Sequence, residues 1–107
     1  TGLLDDRQFA EAYIRTKLAG KPVSRWLMKR ELRQKGIDES IIENAVEANY
    51  SPEEELTQLR SIAKKRSRRL QPPTSQNAAR LGRYLKRRGF SWSMVQPLID
   101  DYINGIL

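Results

Sequence analysis

The sequence predicts an all-α chain, elongated, built from two three-helix units in tandem, each of helix-turn-helix-like design. Three observations predict it. No segment sustains the period-two alternation with β-branched residues that marks a strand. Pro and Gly divide the chain into six stretches whose apolar residues recur at helical spacing. Residues 29–47 can also be laid over residues 82–100 at an offset of 53. The 107 residues suit one compact domain or two small modules sharing a core. The units fall at 1–49 and 50–107.

The first helix opens at Leu-Asp-Asp, with Asp5 as its predicted N-cap. It carries Phe9, Tyr13, Ile14 and Leu18, and Gly20 and Pro22 end it. The second runs from about Ser24 to Lys35, with Met28 and Leu32 four apart and Gly36 as a left-handed C-cap. Asp38 caps a third helix bearing Ile41, Ile42, Ala45 and Val46, and Ile37 and Ile42 stand at the spacing of a hydrophobic staple. Ser51-Pro52-Glu53-Glu54 combines an N-cap, Pro at the first helical position and a capping box. The fourth helix presents Leu56, Leu59, Ala63 and Leu70 on one side, and Pro72-Pro73 ends it. A fifth, from Thr74 or Ser75, carries Ala78, Leu81 and Leu85 up to Gly89. Ser91 caps the sixth, with Phe90 and Val95 as its staple. Pro97 inside that helix removes a backbone hydrogen bond and predicts a bend or a short helix. Gly105 weakens any helix beyond it.

The two copies agree where geometry is decided. Leu32 matches Leu85, Gly36 matches Gly89, Ile37 matches Phe90, Asp38 matches Ser91 and Ile42 matches Val95. The shared grammar is helix, Gly turn, apolar staple, cap, helix.

Composition excludes several classes of function. Leu, Ile, Val and Phe make up about 23 per cent of the chain, above what disordered chains carry. There is no Cys, hence no disulfide framework or thiolate metal site. There is no His, the commonest general base and metal ligand. The acidic clusters are Asp5-Asp6, Glu53-Glu54-Glu55 and Asp100-Asp101, and the first two stand at helix starts, where the dipole favours carboxylates. No Gly-Lys-Ser/Thr phosphate loop exists. No catalytic residue, metal ligand or cofactor is therefore assigned, and the chain is not expected to be an enzyme. No apolar run approaches the length of a membrane span, and no signal-peptide pattern opens the chain. Residue 1 is Thr, which points to a piece of something longer.

The formal charge is +7, unevenly spread. Residues 1–48 hold nine basic and eight acidic residues; residues 49–107 hold eleven and five. From Arg60 to Arg88 there are eleven Lys or Arg and no carboxylate. The candidate binding residues for a polyanion such as DNA, or for an acidic protein face, are Lys64, Lys65, Arg66, Arg68 and Arg69 on the fourth helix, and Arg80, Arg83, Lys86, Arg87 and Arg88 on the fifth. Lys64 with Arg68, and Lys65 with Arg69, fall four apart and share a face. Arginine outnumbers lysine eight to three in this stretch, and its planar fork matches a phosphate with two hydrogen bonds. If six reach phosphates, affinity for single strands should fall with salt at a log–log slope of roughly −4. Sequence-specific readout by the third or sixth helix is rejected. Glu39, Glu43 and Glu47 make the third acidic, and the sixth has no Lys or Arg. The charge suits contact with a nucleic-acid backbone or a protein surface. Trp26 and Trp92 fit either the core, which is favoured, or an exposed anchor for a partner.

Leu-Leu-Asp-Asp-Arg-Gln-Phe-Ala-Glu-Ala-Tyr-Ile-Arg at 3–15, Arg-Glu-Leu-Arg-Gln-Lys-Gly-Ile-Asp at 30–38 and Leu-Lys-Arg-Arg-Gly-Phe-Ser at 85–91 together resemble the RecX family of bacterial recombination regulators. The resemblance runs from Gly2 to about Tyr102. It implies tandem three-helix repeats, usually three, that bind RecA and the RecA–ssDNA filament and most often inhibit RecA, with some members binding ssDNA or dsDNA directly. It implies a place in DNA repair, DNA recombination and the SOS response, in the cytoplasm, with no membrane partner. This chain has room for two repeats and begins where the family's first normally ends. Its link Gly20-Lys21-Pro22-Val23-Ser24 is also longer than the usual Gly-rich link. Two other readings rest on the residues alone: a sequence-nonspecific DNA-binding helical module, and an adaptor for an acidic protein partner.

Overall fold

The computed structural model describes residues 3–107. It contains six helices: α1 (Leu3–Ala19), α2 (Arg25–Gln34), α3 (Glu39–Asn49), α4 (Pro52–Ser67), α5 (Ser75–Arg87) and α6 (Trp92–Ile103). No strand occurs among the described residues. Helix starts are set by side-chain oxygens that accept the free amides of the first turn. Ser24 Oγ accepts from Leu27 N at 3.0 Å, and Thr74 Oγ1 from Asn77 N at 3.1 Å. Ser51 and Glu54 close the capping box, with bonds of 3.1 and 3.2 Å. Helices α2, α5 and α6 end in one and the same turn. Gly36, Gly89 and Gly105 sit at φ 83°, 92° and 75°, and the amide after each glycine reaches the carbonyl five residues back. These bonds are Ile37 to Leu32 (3.2 Å), Phe90 to Leu85 (3.4 Å) and Ile106 to Asp101 (2.9 Å). This is the Schellman closure, which needs a residue that tolerates the left-handed region.

Each half has its own apolar core. Ile14, Met28, Leu32, Ile42, Val46 and Tyr50 are fully buried in the first. Leu59, Leu81, Leu85, Phe90 and Val95 are fully buried in the second, with Tyr102 beside them. Repeat partners Leu32 and Leu85, and Ile42 and Val95, take matching places. Each such side chain contributes about 1.5–3 kcal/mol of apolar burial. A tyrosine at the end of the third helix of each half latches back onto the link before the second. Tyr50 Oη donates to Val23 O at 2.7 Å, and Tyr102 Oη donates to Leu70 O.

The two halves meet end to end, giving a rod of 52 × 21 × 20 Å with a radius of gyration of 15.6 Å. Hydrogen bonds between residues far apart in sequence hold the joint. Ser24 N donates to Arg88 O at 2.9 Å. Arg88 Nε donates to Pro22 O at 2.9 Å, and Arg25 N to Glu55 Oε2 at 2.8 Å. Gly89 lets this approach happen. A Cβ on it would stand 2.4 Å from Ser24 Oγ and 2.6 Å from Leu27 Cβ, whereas one on Gly36 would meet nothing.

Several expectations are corrected. Helix α1 starts at Leu3, so Asp5 lies in its first turn and is not its N-cap. Leu56 and Phe9 are exposed; Ile62 and Ala10 fill the core positions instead. Helix α4 stops at Ser67, short of Pro72-Pro73. Ser67 Oγ donates to Lys64 O and Gln71 Nε2 to Ser67 O, so side chains satisfy the last carbonyls. Pro97 does not shorten α6, which runs on to Ile103 with Pro97 on its exposed side. Ser91 has the extended backbone of a cap but makes no cap bond; its hydroxyl meets that of Ser93. Trp26 and Trp92 are not core residues, being 58% and 50% exposed. Met28 and Leu32 define the buried face of α2 and Trp26 lies off it. Trp92 shares the face of Ile99 but lies over Gly82, which has no side chain to enclose it.

Candidate functional site

The basic residues of α4 and α5 gather on neighbouring surfaces. A cleft of about 570 Å³ lies between the halves, where Lys21 and Pro22 face Lys65, Arg66, Arg68 and Arg69. Arg66 also borders a smaller hollow of about 190 Å³ with Arg80, Arg83 and Arg87. Arg83 and Arg87, with Lys86, rim a groove between α5 and α6. Shared residues therefore link three concave surfaces into one arginine-rich strip. Lys64 is exposed on α4 but lines none of the three. Arg68 and Arg69 do not stand on the helix proper. They form its closing turn, with Arg69 N bonded to Arg66 O at 3.0 Å.

The ten candidates are not equivalent. Arg66 stacks over the Tyr84 ring, 4.3 Å from its centre. Arg80 donates to Asn77 Oδ1 at 3.2 Å. Arg88 is half-buried in the joint, its Nη1 donating to Tyr84 Oη at 3.0 Å while Nε holds Pro22 O. None of the ten forms an ion pair among the described residues. A guanidinium with no carboxylate nearby keeps its field, and the N–H groups not already bonded internally, for an external anion.

The first half contrasts with this. Its α2 and α3 are joined by a three-rung ladder. Arg25 pairs with Glu47, Lys29 Nζ with Glu43 Oε1 at 3.0 Å, and Arg33 with both oxygens of Glu39 at 2.7 and 2.8 Å. The hydrogen bond from Arg33 lowers the Glu39 pKa below its ordinary value, and the same bond raises that of Arg33. Lys17 pairs with Glu31 at 3.3 Å, and Glu31 also accepts from Tyr13 Oη. Burial, and then that bond, raise the Tyr13 phenol to about 12. The acidic face of α3 is thus consumed inside the unit. This ladder was missed in the sequence, where its signal was basic residues at 25, 29 and 33 followed by acidic ones at 39, 43 and 47, all at helical spacing.

The profile of the second three-helix domain of RecX matches residues 5–46, and that of the third matches residues 53–99. The chain belongs to the RecX family. RecX relatives named as regulatory proteins include that of Thermobifida fusca (strain YX), 33% identical over 100 residues, which cover 94% of this chain and 54% of the relative. That of Chlorobaculum tepidum is 34% identical over 97 residues, covering 91% and 58%. The chain spans slightly more than half the length of these relatives. The crystal structure of RecX from Lactobacillus salivarius shares the fold, with a TM-score of 0.73 at 24% identity over 91% of this chain and 63% of that one. Among the described residues no helix is long and apolar enough to cross a membrane.

Proposed function

We propose that this RecX chain is a regulator of homologous recombination that binds RecA and the RecA–ssDNA filament and inhibits RecA. It acts by occupancy rather than catalysis. The rod lies along the filament, bridges subunits and turns its arginine-rich strip toward the DNA backbone, so that subunit rearrangement is hindered. The work is that of a cytoplasmic protein of DNA repair and the SOS response. The observation that carries the reading is the contrast between the halves. In the first, Glu31, Glu39, Glu43 and Glu47 pair internally with Lys17, Arg33, Lys29 and Arg25, whereas among the described residues the second leaves Lys64, Lys65, Arg68, Arg69, Arg83, Lys86 and Arg87 without an ion pair. Family membership supports the regulatory role.

The test is RecA ATPase on single-stranded DNA, with and without the protein. Inhibition is expected, and reversal of Lys64, Arg68, Arg83 and Arg87 to Glu should raise the inhibitory concentration at least about tenfold. Undiminished inhibition by that variant removes the strip from the mechanism. The same strip also fits a module that binds DNA without RecA. Salt-sensitive, sequence-blind gel shifts together with no effect on the ATPase would favour that reading. Absence of DNA binding with and without RecA would leave the adaptor for an acidic protein.

A further inference from the structure

The repeat supplies an internal control for the seam between α5 and α6. At the offset of 53, Arg25, Lys29 and Arg33 correspond to Ala78, Gly82 and Lys86. Glu39, Glu43 and Glu47 correspond to Trp92, Gln96 and Asp100. In the first unit these six positions form the ladder that closes the seam. In the second they form no cross-helix pair, and Asp100 accepts instead from Gln96 on its own helix at 2.9 Å. What replaces the ladder is a groove of about 520 Å³. Ala78, Ala79, Gly82 and Ile99 line it, the half-exposed Trp92 walls it, and Arg83, Lys86 and Arg87 rim it. A Cβ on Gly82 would stand 3.5 Å from Trp92 Cζ3, so the indole rests on the bare backbone of α5 with much of its surface in water.

We propose that this seam is a docking groove for an acidic segment of a partner protein, which seats one large apolar side chain against Trp92 while its carboxylates meet Arg83, Lys86 and Arg87. The chemistry of the walls selects that occupant. A lining of methyl groups and an indole rewards an apolar anchor, and Trp and Arg are the residues that most often carry binding energy at such sites. Three cations without an ion pair among the described residues, and no carboxylate in the lining, select negative charge around the anchor. A nucleobase would find the indole to stack on but no polar group in the floor to bond its edges. The proposal does not depend on RecA being the partner.

The test uses the whole chain carrying Trp26→Phe, so that Trp92 is the sole tryptophan reporter. The probes are a fluorescein-labelled Asp/Glu peptide of about ten residues with a central Phe-Leu pair, the same peptide with Ser-Ser, and oligo-dT of similar length. Saturable binding of the Phe-Leu peptide is expected, with a blue shift of Trp92 emission. Affinity should fall at least about tenfold for the Ser-Ser peptide, and likewise for Ala79→Glu, which puts a carboxylate on the exposed lip of the groove. Circular dichroism checks that this variant folds, and Trp92→Ala gives the same loss by a second route. Equal binding of the two peptides, full binding by Ala79→Glu and Trp92→Ala, or no binding at about 1 mM each overturns the proposal. Tighter binding of oligo-dT, with the larger change in Trp92 emission, overturns it in favour of base stacking.

Discussion

Gly36 and Gly89 close the same turn at nearly the same φ, yet they carry different duties. Replacing either with Ala places a Cβ in the left-handed region at a cost of roughly 1–2 kcal/mol. At Gly36 that is the whole cost, because the space beyond it is open. At Gly89 the new Cβ also collides with Ser24 Oγ and Leu27 Cβ, and overpacking adds about 1–3 kcal/mol. Urea denaturation should therefore find Gly89→Ala the more damaging by at least about 1 kcal/mol; equal losses would mean the joint yields freely. The phenols give a second prediction at this scale. Burial raises the pKa of Tyr13, to about 12, and those of Tyr50 and Tyr102. The unfolded chain ionises all three first, near pH 10, so it binds fewer protons than the folded chain above that point. The stability they contribute is intact below about pH 10 and is lost as pH rises through the folded values. Melting temperature should fall from about pH 10 upward, and Tyr13→Phe should soften that fall between about 10 and 12. A slope unchanged in Tyr13→Phe would remove that phenol from the transition.

At the scale of elements, the ladder between α2 and α3 is a seam of surface ion pairs. Lys29 is largely covered while Glu43 is half-exposed, so their coupling should be small. A double-mutant cycle on Lys29→Ala and Glu43→Ala should give about 0.5 kcal/mol, fading at 1 M salt. Coupling that ignores salt would point to packing rather than charge. The same elements explain what sequence reveals. Helix identity, the capping box at Ser51 and the paired glycine turns were all legible, because each is decided within about six residues of chain. The fate of Trp26 and Trp92 was not. Whether an aromatic on a helix is enclosed depends on what the facing helix offers, and beneath Trp92 α5 offers the bare backbone of Gly82. The early end of α4 was hidden for a related reason. Its last carbonyls are met by Ser67 and Gln71 side chains, residues that carry no strong stop signal.

At the scale of the molecule, the radius of gyration of 15.6 Å exceeds the roughly 13 Å of a compact chain this long, which follows from two cores meeting only at their ends. The basic strip was legible as a run of charge, because composition alone exposes an absence of carboxylates. Its division of labour was not, since Arg88 reaches Pro22 across 66 residues of sequence. That long-range bond makes adjacent arginines a test of shape against charge. Arg87→Ala and Arg88→Ala each remove one positive charge. Arg87 is exposed, with no ion pair among the described residues, so its loss should leave stability within about 0.5 kcal/mol of the parent. It should lower the slope of log affinity against log salt on single strands by about 0.7. Arg88 bonds Pro22 O and Tyr84 Oη and stacks over the Tyr84 ring, so its loss should cost about 1–3 kcal/mol and loosen the rod. Small-angle scattering should then show a broadened distance distribution for Arg88→Ala alone. If a long partner is gripped by both halves at once, Arg88→Ala also weakens binding beyond the effect of one charge, because the fixed angle between the halves is part of the fit. Identical scattering, stability and salt slopes for the two variants would reduce Arg88 to one more surface cation and leave the joint to the backbone and Gly89.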